Sequence, residues 1–155
     1  MMETVFGTIP DPIFRYKSLL GHYNAEAFIV RCLDFRFEKA FEAFIEYLNI
    51  KYYDPESPAG GAKVLAYPEK ESDRDFILRD LAKSIKLHRT QSVKIFTHHD
   101  CGACGGFEAF ENNYEKEFAY HKNDLHPKAR KAIWAQFPDM QVESYFITEE
   151  GIIKI

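Results

Sequence analysis

Short apolar runs alternate with segments of helical period along this chain, and that alternation constrains the fold most. AFIVRC (27–32), AKVLAY (62–67), VKIFTH (93–98) and VESYFI (142–147) are each short, apolar and bounded by polar or turn residues, the pattern of buried strands. Between them lie helical stripes. Phe37, Phe41, Phe44, Ile45 and Leu48 fall on one face of a helix, and Ile77, Leu81, Ile85 and His88 repeat every four residues. Ser72 and Asp75 are predicted to open that second helix as a capping pair. DPESPAGG (54–61) is turn chemistry. A further helix is predicted to begin around Cys104 to Phe107, and another with Pro127 in its first turn runs through Trp134 to Phe137. The tract up to Asn24 reads as irregular or weakly helical. Strands alternating with helices predict an α/β fold: a three-layer sandwich with a mainly parallel central sheet flanked by helices. The length of 155 residues suits a single domain spanning 1–155.

Composition narrows the function classes. The net charge of -4 lacks the basic excess that a nucleic-acid footprint needs. The longest apolar run, AFIV, is far too short to cross a bilayer. MMETVFGTIPDP lacks the basic start and apolar core of a signal peptide, so a cytoplasmic location is expected. Three cysteines, an odd count in a chain of this size, argue against a disulfide framework.

THHDCGACGG (97–106) concentrates the chemistry. In a parallel sheet, ligands bind beyond the carboxyl ends of strands where strand order reverses. Cys32 ends the first predicted strand, and His98 and Cys101 end the third. If those strands are neighbours, two thiols and an imidazole meet at one edge. That set suits tetrahedral zinc and leaves a fourth position, as catalytic zinc sites do. Asp34 and Arg36 follow Cys32 at spacing two, so in extended backbone all three can face one side. Arg36 can grip Asp34 by two hydrogen bonds. Asp34 held by Arg36 leaves the metal open; Asp34 on the metal closes it.

CLDFR followed by HHDCG resembles the paired signature of β-class carbonic anhydrases, Cys-x-Asp-x-Arg and His-x-x-Cys-Gly. The resemblance covers the middle of the chain. It implies Cys32, His98 and Cys101 as zinc ligands and Asp34 and Arg36 as a catalytic dyad. Ala59-Gly60 fit a glycine-bearing stretch of that family, while Ser57 and Pro58 replace its Arg and Asn. Thr97 stands where a glycine normally precedes the zinc histidine. The resemblance further implies reversible hydration of carbon dioxide to bicarbonate by zinc-bound hydroxide, and a homodimer or higher oligomer that builds the pocket partly across its interface.

Three alternatives stay open: a non-catalytic zinc-binding protein of the same fold, a hydrolase of carbon disulfide or carbonyl sulfide, and a redox protein using Cys101 and Cys104. His99 is expected to be a hydrogen-bonded neighbour of the site or a proton shuttle. Cys104 is expected to pack in a first helical turn. His121 and His126, in a polar stretch, are expected to be solvent-exposed.

Overall fold

The computed structural model describes residues 7–155. The first six residues of the N-terminal tract, with their irregular and leaderless reading, lie outside the described residues. Residues 7–24 form no helix or strand, which agrees with the rest of that reading.

The described elements, in chain order, are β1 (Ala27–Val30), α1 (Glu38–Tyr47), β2 (Tyr53–Glu56), α2 (Lys63–Ala66), α3 (Glu71–His88), β3 (Ser92–His98), α4 (Tyr114–Tyr120), α5 (His126–Gln136), β4 (Gln141–Thr148) and β5 (Gly151–Lys154). The strands form a five-stranded sheet in the order β2-β1-β3-β4-β5. All neighbours are parallel except β4 and β5.

All four β1 residues are buried because both faces of the sheet are covered. Phe28 and Val30 point into one core with Leu65, Ile77, Leu81, Val93, Ile95 and Ile133. Ala27 and Ile29 point into the other with Phe41, Ile45, Phe96, Tyr145 and Ile147. So α2, α3 and α5 cover one face and α1 the other. These are the three layers expected. Each fully buried Phe, Ile or Leu stabilises the fold by about 1.5 to 3 kcal/mol.

Several predicted elements change. AKVLAY is not a strand: residues 63–66 form the short helix α2, and the strand lies upstream in YDPE. A short apolar run does not by itself separate strand from helix. Pro55 is tolerated in β2 because β2 is a sheet edge. The reversal that follows needs Gly60 and Gly61, at φ +87° and +57°. At α3, the expected Ser72 and Asp75 pair gives way to Asp73, whose carboxylate accepts the Lys70 N–H at 3.2 Å.

The polar stretch 121–126 is helical as well. A π-helical turn over His121–Leu125 joins α4 to α5, with Pro127 in the first turn of α5 as predicted. The predicted helix near Cys104 is two 3-10 turns, Gly102–Cys104 and Phe107–Phe110. The tail IIKI pairs antiparallel with β4.

From β1 the chain moves to β2 on one side, then crosses to β3 on the other. The strand order therefore reverses between β1 and β3, which places a ligand crevice at their carboxyl ends.

Candidate metal centre

β1 and β3 are neighbours, in register Phe28↔Val93 and Val30↔Ile95. Parallel pairing carries both carboxyl ends to one edge. Cys32 lies two residues beyond β1, His98 is the last residue of β3, and Cys101 follows three residues later. Their ligand atoms all lie within 4.8 Å of one another.

The local hydrogen bonds prepare this set for a cation. His98 Nδ1–H donates to the His99 carbonyl at 2.7 Å. That bond fixes the tautomer and leaves a lone pair on Nε2. His98 Nε2 is buried and has no hydrogen-bond partner, a costly state that a metal relieves. Gly60 N–H donates to Cys32 Sγ at 3.2 Å. Next to it, Gly61 lets the turn pass against the strands: a Cβ there would lie 2.2 Å from the Phe96 carbonyl oxygen and 2.9 Å from Cys32 N.

Crowding of the thiols shows in their acidity. Hydrogen bonding to Cys101, with burial, pushes the Cys32 thiol up to about 12. The neighbouring Cys104 thiol pushes Cys101 up to about 11, and Cys104 is lowered in return. A divalent cation between Cys32 and Cys101 reverses that cost, because it favours the thiolates directly. Two sulfurs and one imidazole nitrogen are the donors zinc prefers. Zinc fits the set.

Asp34 sits beside it. The Asp34 carboxylate accepts the Arg36 backbone N–H at 3.0 Å and opens a 3-10 turn, Phe35–Phe37. Arg36 Nε lies 3.1 and 3.0 Å from the two Asp34 oxygens, and its Nη2 donates to Oδ2 at 2.7 Å. The same guanidinium reaches Asp100, through Nη1 to Oδ2 at 3.0 Å and Nη2 to the carbonyl at 2.9 Å. The grip foreseen from alternation is present, but its geometry differs. β1 ends at Val30, and the 3-10 turn folds Arg36 back over Asp34. The Arg36 guanidinium holds the Asp34 carboxyl below its ordinary range, against the opposing effect of burial. Asp34 in turn raises Arg36.

Asp34 Oδ2 lies 3.7 Å from His98 Nε2, too far for a hydrogen bond. Both residues line a crevice of about 10 Å³, with Cys32, Phe37, Phe96 and Ile147 among others. It has room for roughly one water.

Residues 23–155 match the family described as "Putative carbonic anhydrase". The chain belongs to this carbonic anhydrase family. A relative, an uncharacterized protein of Rickettsia bellii (strain RML369-C), is 26% identical over 134 residues, covering 84% of this chain and 81% of that protein. Among solved structures, β-carbonic anhydrase isoform I of Trichomonas vaginalis is similar, with a TM-score of 0.57 at 15% identity. The carbonic anhydrase of Streptococcus mutans gives 0.56 at 16%. Each similarity covers 91% of this chain and 87% of the other. These likenesses show a β-carbonic anhydrase fold.

In this member of the carbonic anhydrase family, Cys104 stays outside the donor group. It ends a 3-10 turn and packs against the α2, α3 and α5 core. His99 is hydrogen-bonded as expected, its Nδ1 lying 2.6 Å from Glu117. His121 and His126 overturn the exposed reading, because both are fully buried. The π turn brings their rings to 6.5 Å, and His126 Nε2 meets Thr97 Oγ1 at 2.7 Å. Polar neighbours in sequence gave no sign of this. Two supports of the centre were also missed. Asp100 was visible inside the motif but carried no assigned role. Glu117 lies 16 residues beyond Cys101, in a helix of ordinary polar composition, and had no local signal.

Proposed function

We propose that this chain is a zinc-dependent lyase that interconverts carbon dioxide and bicarbonate, with Cys32, His98 and Cys101 as metal ligands and Asp34 and Arg36 as the catalytic dyad. One observation carries the reading: a carboxylate gripped by Arg36 stands 3.7 Å from the unpartnered Nε2 of His98. Asp34 is thereby beside the donor set but held off it.

Zinc in this set supplies a Lewis acid that brings the pKa of a water towards about 7. Asp34, kept ionised by Arg36, accepts a hydrogen bond at Oδ2 and orients the group that donates it. Arg36 spans Asp34 and Asp100, so it ties the β1 half of the centre to the β3 half. Phe37 covers His98, with ring centroids 4.7 Å apart. With Phe96 and Ile147 it forms an apolar wall that keeps bulk water out.

The working unit we propose is a homodimer or higher oligomer in the cytoplasm. Leu33 and Phe35, on either side of Asp34, are 63% and 77% exposed, which suits a rim covered by a second copy. Among the described residues no helix is long and apolar enough to cross a membrane.

Stopped-flow hydration of carbon dioxide tests the reading. The zinc-loaded protein is expected to raise the rate above buffer at mildly alkaline pH. No rate above buffer overturns the lyase assignment.

A further inference from the structure

We infer that Glu117 is a positioning residue for the metal centre: its buried carboxylate fixes the turn at Asp100 that sets Cys101 against His98 and Asp100 against Arg36. The inference rests on the metal reading above.

The chain is pinned to the sheet through His99, whose N–H donates to the Ile147 carbonyl at 2.8 Å. Two residues later Cys101 must present its sulfur to the centre. Asp100 alone lies between, and it adopts the left-handed conformation, φ +55°. Aspartate tolerates this region better than most residues, yet it remains sparsely populated. Contacts must therefore hold it.

Three groups do so. Asp100 Oδ1 accepts the Phe107 N–H at 2.8 Å. Its Oδ2 and carbonyl accept from Arg36. Its own N–H donates to Glu117 Oε1 at 2.7 Å. The other oxygen of Glu117 meets His99 Nδ1 at 2.6 Å, which fixes the residue whose carbonyl orients His98. One carboxylate on α4 thus holds both residues between the two β3-side ligands.

Glu117 is 0% exposed. No Lys or Arg pairs with it among the described residues. Removing the carboxylate alone would leave the Asp100 N–H and the His99 ring donor without an acceptor, at about 1 to 3 kcal/mol for each buried group. Its accepting atoms point at the ligand loop, which assigns it to the geometry of that loop.

Glu117→Leu removes both acceptors and keeps the site filled, whereas Glu117→Gln keeps an oxygen for the Asp100 N–H. Zinc affinity is read by chelator competition, and the donor geometry by the absorption spectrum of the cobalt-substituted protein. Glu117→Leu is expected to weaken zinc by roughly tenfold or more, in the range of other outer-sphere supports. It should also alter the cobalt spectrum, and the two donors left without an acceptor should lower the apo-protein Tm as well. Glu117→Gln is expected to keep most of the affinity, and exposed Glu115→Gln to change nothing. Wild-type affinity and spectrum in Glu117→Leu overturn the inference, as does an equal loss in Glu117→Gln. If Glu117→Leu does not fold, amide exchange in the wild-type protein decides: slow exchange at Asp100 supports the bond to Glu117, and fast exchange overturns it. A wild-type chain that binds no zinc removes the metal reading itself. A zinc-bound but inert wild type removes only the lyase reading and leaves the role of Glu117 standing.

Discussion

Asp34 Oδ2 stands 3.7 Å from His98 Nε2, with Arg36 gripping both oxygens of the carboxylate. The distance exceeds a hydrogen bond and is short enough for both groups to address one small guest. A carboxylate free of Arg36 could move onto the donor set. In the proposed reading, the clamp separates an open centre from a closed one.

Asp34→Asn should therefore cripple turnover and leave the donor set intact. We expect kcat/KM to fall by at least roughly a hundredfold, the lower range for a group that handles a proton or its hydrogen bond. Zinc content, measured by elemental analysis, should stay at the wild-type level. Unchanged activity would remove Asp34 from the mechanism. Arg36→Lys should fail in the same assay, because an ammonium cannot span Asp34 and Asp100 as the planar fork does.

The thiols make a sharper division. Cys32→Ala and Cys101→Ala should each abolish tight zinc binding, since each removes one of three donors. Cys104→Ala should retain zinc, because Cys104 stands outside that group. Zinc loss in Cys104→Ala, or a stoichiometric Cys101–Cys104 disulfide in the native protein, would return the motif to redox or structural chemistry.

Folding stability should depend on pH through His121 and His126. Burial lowers their pKa values to about 4 and about 3, against about 6.5 unfolded. As pH falls below the unfolded value, the unfolded chain takes up protons that the folded chain refuses. Stability is complete above that value and is lost as pH falls towards the folded values. Each imidazole contributes a slope of up to about 1.4 kcal/mol per pH unit within its window. Denaturant unfolding between pH 7 and 4.5 measures it. His121→Phe should flatten the profile, and an unchanged slope in that variant would show that His121 does not titrate this way.

Gly61→Ala should damage fold and centre together. The added Cβ would meet the Phe96 carbonyl and the Cys32 backbone at 2.2 and 2.9 Å, on a backbone at φ +57°. Strain of this kind costs about 1 to 3 kcal/mol or more, which lowers Tm by at least roughly 2 °C in a chain of this size. Differential scanning calorimetry reads the loss, and zinc affinity should fall with it, because Cys32 is next to the clash.

Much of the candidate centre is legible in the sequence. Cys32, Asp34, Arg36, His98 and Cys101 lie in two short motifs at strand ends, and strand ends are visible as apolar runs. The layers were legible for the same reason, since short apolar runs and stripes of helical period report burial directly. Failures came where one local pattern serves two structures. AKVLAY could satisfy a strand or a helix. HKNDLH reads as solvated, yet a π turn places both of its histidines in the core.

The amino-acid order by itself determined the donor types, their spacing and the alternation of elements, because these follow from side-chain chemistry and backbone period. Tertiary structure alone decided that β1 lies beside β3, that Arg36 reaches Asp100 across 64 positions, and that Glu117 accepts the Asp100 N–H between His98 and Cys101. Those contacts join residues distant in sequence. No local propensity encodes them; they appear only when the packing of a parallel sheet brings two strand ends to one edge.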